Sequence, residues 1–186
     1  MDKNNDLIKC IFLDIDGVMN VIPQGYDKYG GIFHDHFVKN LELLVNETNA
    51  KIIISSSWRK DGLNDIQAMW KDRGLAGDVI DVTPSLYLKK NGSIQFWNNK
   101  LDRHPTEKIH GYSIPRGCEI DYWLKNESQK FGNIINYVII DDEKDFLFSQ
   151  KDNFVQCNYL FHHIDNIEGY GLTTECTNIA IKILNK

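Results

Sequence analysis

Three short apolar runs, each ending abruptly in oxygen-bearing side chains, constrain the fold of this chain more than any other feature. The first, Cys10-Ile11-Phe12-Leu13, stops at Asp14-Ile15-Asp16-Gly17. The second, Ala50-Lys51-Ile52-Ile53-Ile54, stops at Ser55-Ser56-Ser57-Trp58-Arg59, and the third, Tyr137-Val138-Ile139-Ile140, stops at Asp141-Asp142. Short β-branched runs bounded by turn residues read as strands buried on both faces, the pattern of a parallel sheet covered by helices. In open α/β sheets, ligands bind outside the carboxyl ends of the strands. If these three strands are parallel neighbours, their acids and hydroxyls gather at one edge. Two carboxylates spaced i, i+2 repel each other there, so the arrangement calls for a cation or a proton. An isolated Asp-x-Asp-Gly also serves as an ordinary turn or helix cap, and it is the joint ending of three strands that argues for more. An EF-hand is excluded by spacing, since that loop needs glycine at its sixth position and Glu at its twelfth. Counted from Asp14, the glycine is fourth and the twelfth residue is Gly25.

Helical patterns lie between these strands. Asp35 to Asn49 carries Phe37, Leu41, Leu44, Val45 and Thr48 on one stripe, and predicts a right-handed crossover between the first two strands. Gly62 to Arg73 places Leu63, Ile66, Met69 and Trp70 on one face, with Gly74 as a stop, and Ala76 to Val82 adds a short strand. Gly117 to Lys130 predicts a third helix with Ile120, Trp123, Leu124 and Phe131 inward. Arg116 then stands at its N-terminus, against the preference set by the helix dipole, which points to an anion nearby. Beyond Asp142 the pattern predicts a helix over Glu143 to Lys151, with Phe146 and Leu147 in the core, and a short strand over Phe154 to Cys157. A terminal helix capped by Thr173 holds Ile179, Ile183 and Leu184.

Two stretches break this alternation. Residues 21–37 begin with a Gly- and Tyr-rich segment, Val21 to Phe33, which reads either as a flap over the site or as a plain surface loop. His34-Asp35-His36 has metal-ligand residue types, but its place just ahead of a helical stripe reads as a helix start. Residues 83–116 lose all periodicity and predict a long irregular loop, uncommon in a compact domain unless it has a task. Phe96, Trp97, Lys100, Arg103, His104, Lys108 and Tyr112 could stack on and pair with a nucleotide or RNA end, or the aromatics could plug a small satellite core. His162-His163 lies in loop-like sequence with no assigned chemistry.

At 186 residues the chain fits one domain spanning 1–186, able to bury about 70% of its unfolded surface. Its net charge of −5 excludes a broadly basic nucleic-acid surface while leaving room for a local basic patch. Cys10, Cys118, Cys157 and Cys176 are widely spaced, without Cys-x-x-Cys, and predict reduced thiols and no zinc knuckle. The polar N-terminus lacks a signal-peptide core, and no apolar run approaches the roughly 20 residues that span a bilayer. The expectation is a cytoplasmic protein with no membrane association and no obligate protein partner.

Asp14-Ile15-Asp16-Gly17, a hydroxyl at Ser55, a later base and Asp141-Asp142 together resemble the haloacid dehalogenase-like (HAD) superfamily of phosphohydrolases. Ser55 to Arg59, Arg116-Gly117-Cys118-Glu119-Ile120 with Trp123-Leu124, and Gly171-Leu172-Thr173 are similar to the HAD domain of Swiss-Army-knife RNA-repair proteins. The resemblance implies an α/β fold: a three-layer Rossmann-like parallel sheet flanked by helices, with minimal or no cap domain. It implies a Mg²⁺-dependent phosphomonoesterase acting through an aspartyl-phosphate. Asp14 would be the nucleophile and Asp16 the general acid and base, an assignment typical of members that are phosphatases or phosphomutases. Ser55, or Ser56 if the strand runs one residue longer, would hold phosphoryl oxygens, and Arg116, with Lys108 as fallback, would balance charge. Asp14, Asp141 and the backbone carbonyl of Asp16 would bind the metal, with Asp142 bound directly or through water. Gly17, Ser56 and Arg59 would lie beside the substrate, although Arg59 could equally pair with a local acid.

Physics explains why such a site needs a metal. Two unit charges 4 Å apart repel by about 4 kcal/mol at an effective dielectric near 20, and a divalent cation offsets the cost of bringing carboxylate to phosphate. Hard oxygen ligands favour Mg²⁺. The expected substrates are nucleic-acid termini or nucleotides, or else a small phosphorylated metabolite. A receiver-type phospho-acceptor module and a catalytically silent phosphate-binding module are the readings from other classes.

Overall fold

The computed structural model describes residues 7–89, 94–96, 111–158, 167 and 169–186. Trp97, Lys100, Arg103, His104, Lys108 and His162-His163, with the side chains of Phe96 and Tyr112, lie outside the described residues. The chain opens with β1 (Leu7–Leu13), a short hairpin of β2 (Tyr26–Asp27) and β3 (Gly30–Gly31), and helix α1 (Asp35–Thr48). Then come β4 (Lys51–Ile54), a 3-10 turn over Ser57–Asp61, α2 (Leu63–Asp72) and β5 (Val79–Val82). Strands β6 (Leu86–Lys89), β7 (Ile94–Phe96) and β8 (Gly111–Ser113) precede α3 (Arg116–Asn126), β9 (Asn133–Asp141), β10 (Phe154–Gln156) and α4 (Thr174–Leu184).

Five parallel strands form the central sheet in the order β10-β9-β1-β4-β5. The apolar runs are continuous because both faces are covered. Ile11, Leu13, Ile52, Ile54, Val138 and Ile140 point to the side packed by α1, α2 and α4. Cys10, Phe12, Ile53 and Ile139 point to the side packed by Ile120 and Trp123 of α3. Each large aliphatic side chain buried in this way contributes about 1.5–3 kcal/mol. The result is the three-layer Rossmann-like α/β architecture implied by the sequence. No described helix is long and apolar enough to cross a membrane.

Local signals account for the helix ends. The ring of His34 accepts from the backbone N–H of His36 and caps α1, and Asn49 closes that helix in the left-handed region at φ 52°. Asn40, on the same buried face, donates to the Leu172 carbonyl at 2.7 Å and ties α1 to the segment leading into α4. Thr173 caps α4 by accepting from Cys176 N–H at 3.1 Å.

Two expectations are corrected. Residues 83–116 are not one irregular loop: β6 pairs antiparallel with both β7 and β8 in a small separate sheet. Strands of three or four residues are too short to show a period of two. Nor does an α-helix cover Glu143 to Lys151, where only a 3-10 segment over Phe148–Asn153 forms. Asp141 takes the Glu143 N–H on its carboxylate at 2.9 Å, turning the chain sharply as β9 ends. Gln150 then bridges the turn to α3, accepting from Leu147 N–H at 3.0 Å and donating to the Gly117 carbonyl at 2.9 Å. Gly117 permits this approach, because a Cβ there would lie 2.6 Å from Leu147 N.

Candidate active site

The register of the sheet brings the strand ends level. Leu13 pairs with Ile54 on one side and Ile140 on the other, so Asp14, Ser55 and Asp141 emerge side by side. Backbone bonds continue the ladder one step, from Asp14 N to Ile140 O at 3.0 Å and from Ser55 N to Leu13 O at 2.9 Å. Asp14 and Asp141 are buried, and Asp142 is half-buried. One oxygen from each of the three lies within 4.8 Å of the others, the cluster suited to a metal among the described residues.

Arg116 stands over this cluster. Its Nη1 is 3.0 Å from Asp14 Oδ2 and 2.7 Å from Asp141 Oδ2, and it donates to the Ser55 carbonyl at 2.7 Å. The first turn of α3 is held in place by Asp145, which accepts from Arg116 N–H at 2.9 Å on its side chain and from Gly117 N–H at 3.1 Å on its carbonyl. That carboxylate satisfies the helix N-terminus and leaves the guanidinium free to face the strand ends.

Three carboxylates facing one guanidinium leave an excess of negative charge. Burial, reinforced by the neighbouring Asp14 charge, pushes the Asp141 carboxyl up to about 8 and that of Asp142 up to about 6. Burial likewise raises Asp14, against the pull of Arg116 and a hydrogen bond from Ser56. Burial opposes the charge on Arg116, but Asp14 and Asp141 outweigh it and raise its pKa. A hard divalent cation fits such an all-oxygen, electron-rich set. A raised acid binds protons in the folded state that the unfolded chain has released. Its contribution to stability is therefore present below about pH 4 and is lost as the pH climbs through about 8. In chelator, the thermal midpoint of Asp141→Asn should accordingly rise relative to wild type between pH 5 and pH 8; a pH-independent difference would contradict this.

Asp16 is exposed at the rim of the same edge, where its carboxylate accepts from Asn20 Nδ2 at 2.9 Å and Trp58 Nε1 at 3.0 Å, with Ser57 Oγ at 3.4 Å. Gly17 follows with φ +79°, and a Cβ on it would fall 2.4 Å from Asp142 Cγ. The bare glycine is what lets the β1 turn and the β9 turn touch. Gly17→Ala should cost about 1–3 kcal/mol in an unfolding titration, because the backbone is strained for alanine there and Asp142 must move; an unchanged midpoint would contradict this.

The hydroxyl residues divide unexpectedly. β4 ends at Ile54, so Ser55 is the first residue beyond it, yet its Oγ is approached by the Thr83 hydroxyl at 3.5 Å. The Ser56 side chain bonds to Asp14 and caps the 3-10 turn through Trp58 N–H. Ser57, which sequence reasoning passed over, lines the open cavity instead. Arg59, for which substrate contact and pairing with an acid were both open, turns inward: it pairs with buried Glu119 and donates from Nε to Ser85 Oγ at 3.1 Å. Glu119 in turn accepts from Leu86 N–H at 2.7 Å, so this pair anchors β6 to α3. A cavity of about 1070 Å³ extends from Asp14, Asp16 and Asp142 past Glu143 to Gln156 and Tyr170. Arg116 is the only cation among the described residues lining it.

An all-parallel sheet whose carboxyl edge gathers three acids beneath one guanidinium defines a Rossmann-like α/β domain of the HAD type. The chain belongs to the family described as the HAD domain in Swiss Army Knife RNA repair proteins, matched over residues 10–161. That span takes in Ser55 to Arg59 and Arg116 to Leu124, while Gly171-Leu172-Thr173 lies beyond it. No curated protein and no solved structure matches the chain. Membership supports a hydrolase, of the HAD phosphatase kind.

Proposed function

We propose that this protein is a Mg²⁺-dependent phosphomonoesterase that works through an aspartyl-phosphate on Asp14. The observation that carries the reading is the convergence of Asp14, Asp141 and Asp142, with carboxylate oxygens within 4.8 Å, under Arg116. These three side chains, with the Asp16 backbone carbonyl, would hold Mg²⁺, which when bound neutralises the carboxylates and the phosphate dianion they must meet. One Asp14 oxygen attacks phosphorus as the ester bond to the leaving oxygen breaks. Asp16, on the rim, gives its proton to that leaving oxygen and then takes one from the water that hydrolyses the acyl phosphate. Arg116 balances charge on the transferring phosphoryl oxygens. Ser55 and Ser56 act on this geometry by fixing the ground: Ser55 holds Arg116 through its carbonyl and Ser56 holds Asp14 through its hydroxyl.

The substrate is a terminal phosphomonoester presented from outside, on a nucleic-acid end or a nucleotide. A cavity far larger than a phosphate group and open along one side supports this, as does the family. A small phosphorylated metabolite is the second reading, favoured by Asp16, Asp142 and Glu143 at the rim, which disfavour a long polyanion. Four free thiols fit a reducing, cytoplasmic setting. The deciding experiment measures phosphate release with Mg²⁺ from an aryl phosphate, from 5′- and 3′-phosphorylated oligonucleotides and from phosphorylated metabolites. Turnover of at least one ester, lost in chelator, is expected; release from none would overturn the reading.

A further inference from the structure

Asp16 is the exposed acid of the set, so burial does not orient it. Its geometry comes from donors: Asn20 Nδ2 at 2.9 Å within the same turn and, from the segment after β4, the Trp58 indole N–H, 3.0 Å from Oδ2. Trp58 is itself braced on its far side. Phe33 packs at 5.9 Å between ring centroids, and the Arg73 guanidinium lies 5.8 Å from the indole, 4.6 Å from Phe33 and 6.0 Å from Tyr29. Arg73 is held by a fork on Asp27 of the hairpin, at 2.9 and 2.8 Å, with its own side chain only 7% exposed. The hairpin is pinned again by Tyr29 OH on Asp72 at 2.7 Å and Lys28 on Asp72 at 2.8 Å. Gly30 lies in ordinary contact distance of the indole, in a backbone conformation at φ +113° that glycine adopts freely. Through Tyr29, Gly30 and Phe33 the segment 21–37 packs around an aromatic ring whose polar edge addresses Asp16.

We propose that Trp58 is a positioning residue for Asp16, its N–H aiming the carboxylate at the leaving group and the attacking water, with the hairpin and Arg73 as its brace. The inference rests on Asp16 acting as the acid and base of a phosphomonoesterase. A large aromatic residue of this kind is most often core filler, and the two roles make different predictions. Filler is lost with the ring; positioning is lost with the N–H alone.

The test compares wild type, Trp58→Phe, Asp16→Asn and the double variant on an alkyl phosphate with saturating Mg²⁺, together with the thermal midpoint of each. Trp58→Phe keeps a ring against Phe33 and Arg73 but removes the donor. It should lower kcat by about tenfold with KM within about twofold, the size expected for one hydrogen bond to a charged group. In the Asp16→Asn background the same change should have no further effect on kcat, because the group it aims is already gone. An equal loss in both backgrounds, or an unchanged kcat in Trp58→Phe, would overturn the proposal. Should Trp58→Phe unfold, Trp58→benzothienylalanine preserves the bicyclic shape without the N–H, and the same two outcomes decide. A wild-type protein that turns over no phosphomonoester would instead overturn the underlying reading of the site.

Discussion

Asp14→Asn should reduce phosphomonoester turnover by roughly 10⁴-fold or more while leaving the fold as stable as wild type or more so. The loss follows from chemistry, since an amide cannot attack phosphorus to form the acyl phosphate from which water later releases the carboxylate. The stability follows from electrostatics. Asp14 is buried beside Asp141, and burial pushes its carboxyl up despite Arg116. Asparagine keeps the size and an acceptor for Ser56 and Arg116, and it removes one of the mutually repelling charges. Initial rates and a denaturant titration in chelator check both halves. Residual turnover within tenfold of wild type would overturn the proposal that Asp14 is the nucleophile.

Arg116→Ala should also be severe, at about 10²–10³-fold in kcat, but with stability moving the other way. Its guanidinium is the positive charge against both Asp14 and Asp141 and a donor to the Ser55 carbonyl. Removing one side of a buried pair leaves the other uncompensated, typically at about 3–5 kcal/mol, moderated here because the acids can take up protons. The variant should therefore unfold at lower denaturant than wild type, and the deficit should shrink as the pH is lowered. Arg116→Lys should recover charge but not geometry, because an ammonium is a point charge without a planar fork. Equal stability of the Asp14→Asn and Arg116→Ala proteins at neutral pH would contradict this account of the charge balance.

The parts of the site legible in the chain are those where a local pattern ends in chemistry. Asp14 and Asp141-Asp142 close apolar β-branched runs, and Arg116 opens a helix where a cation is out of place. Strand, stop and charge are all written within a few residues, and the parallel register then brings the ends level. The family resemblance drew on those same residues, and membership over residues 10–161 follows.

What stayed illegible depends on partners far along the chain. Three consecutive serines look alike in sequence, and the tight turn after β4 decides that Ser56 meets Asp14 while Ser57 meets the cavity. Arg59 sits beside the motif but faces Glu119, whose place on α3 no local pattern reveals. Trp58 stands in the Ser55–Arg59 motif, and nothing near it in the chain names Asp16, which lies 3.0 Å from its N–H. The helix expected after Asp142 gives way because Asp141 and Gln150 capture backbone groups that a helix would need.

Local composition and spacing were thus enough to settle where strands end, which ends carry charge, and that both faces of the sheet are covered, because burial and repulsion act on neighbouring residues. Tertiary structure alone decided which side chains look into the cavity and which turn inward. A side chain's direction is set by the backbone turn beneath it and by hydrogen-bond partners some tens of residues away, as Arg59 with Glu119 and Trp58 with Asp16 show.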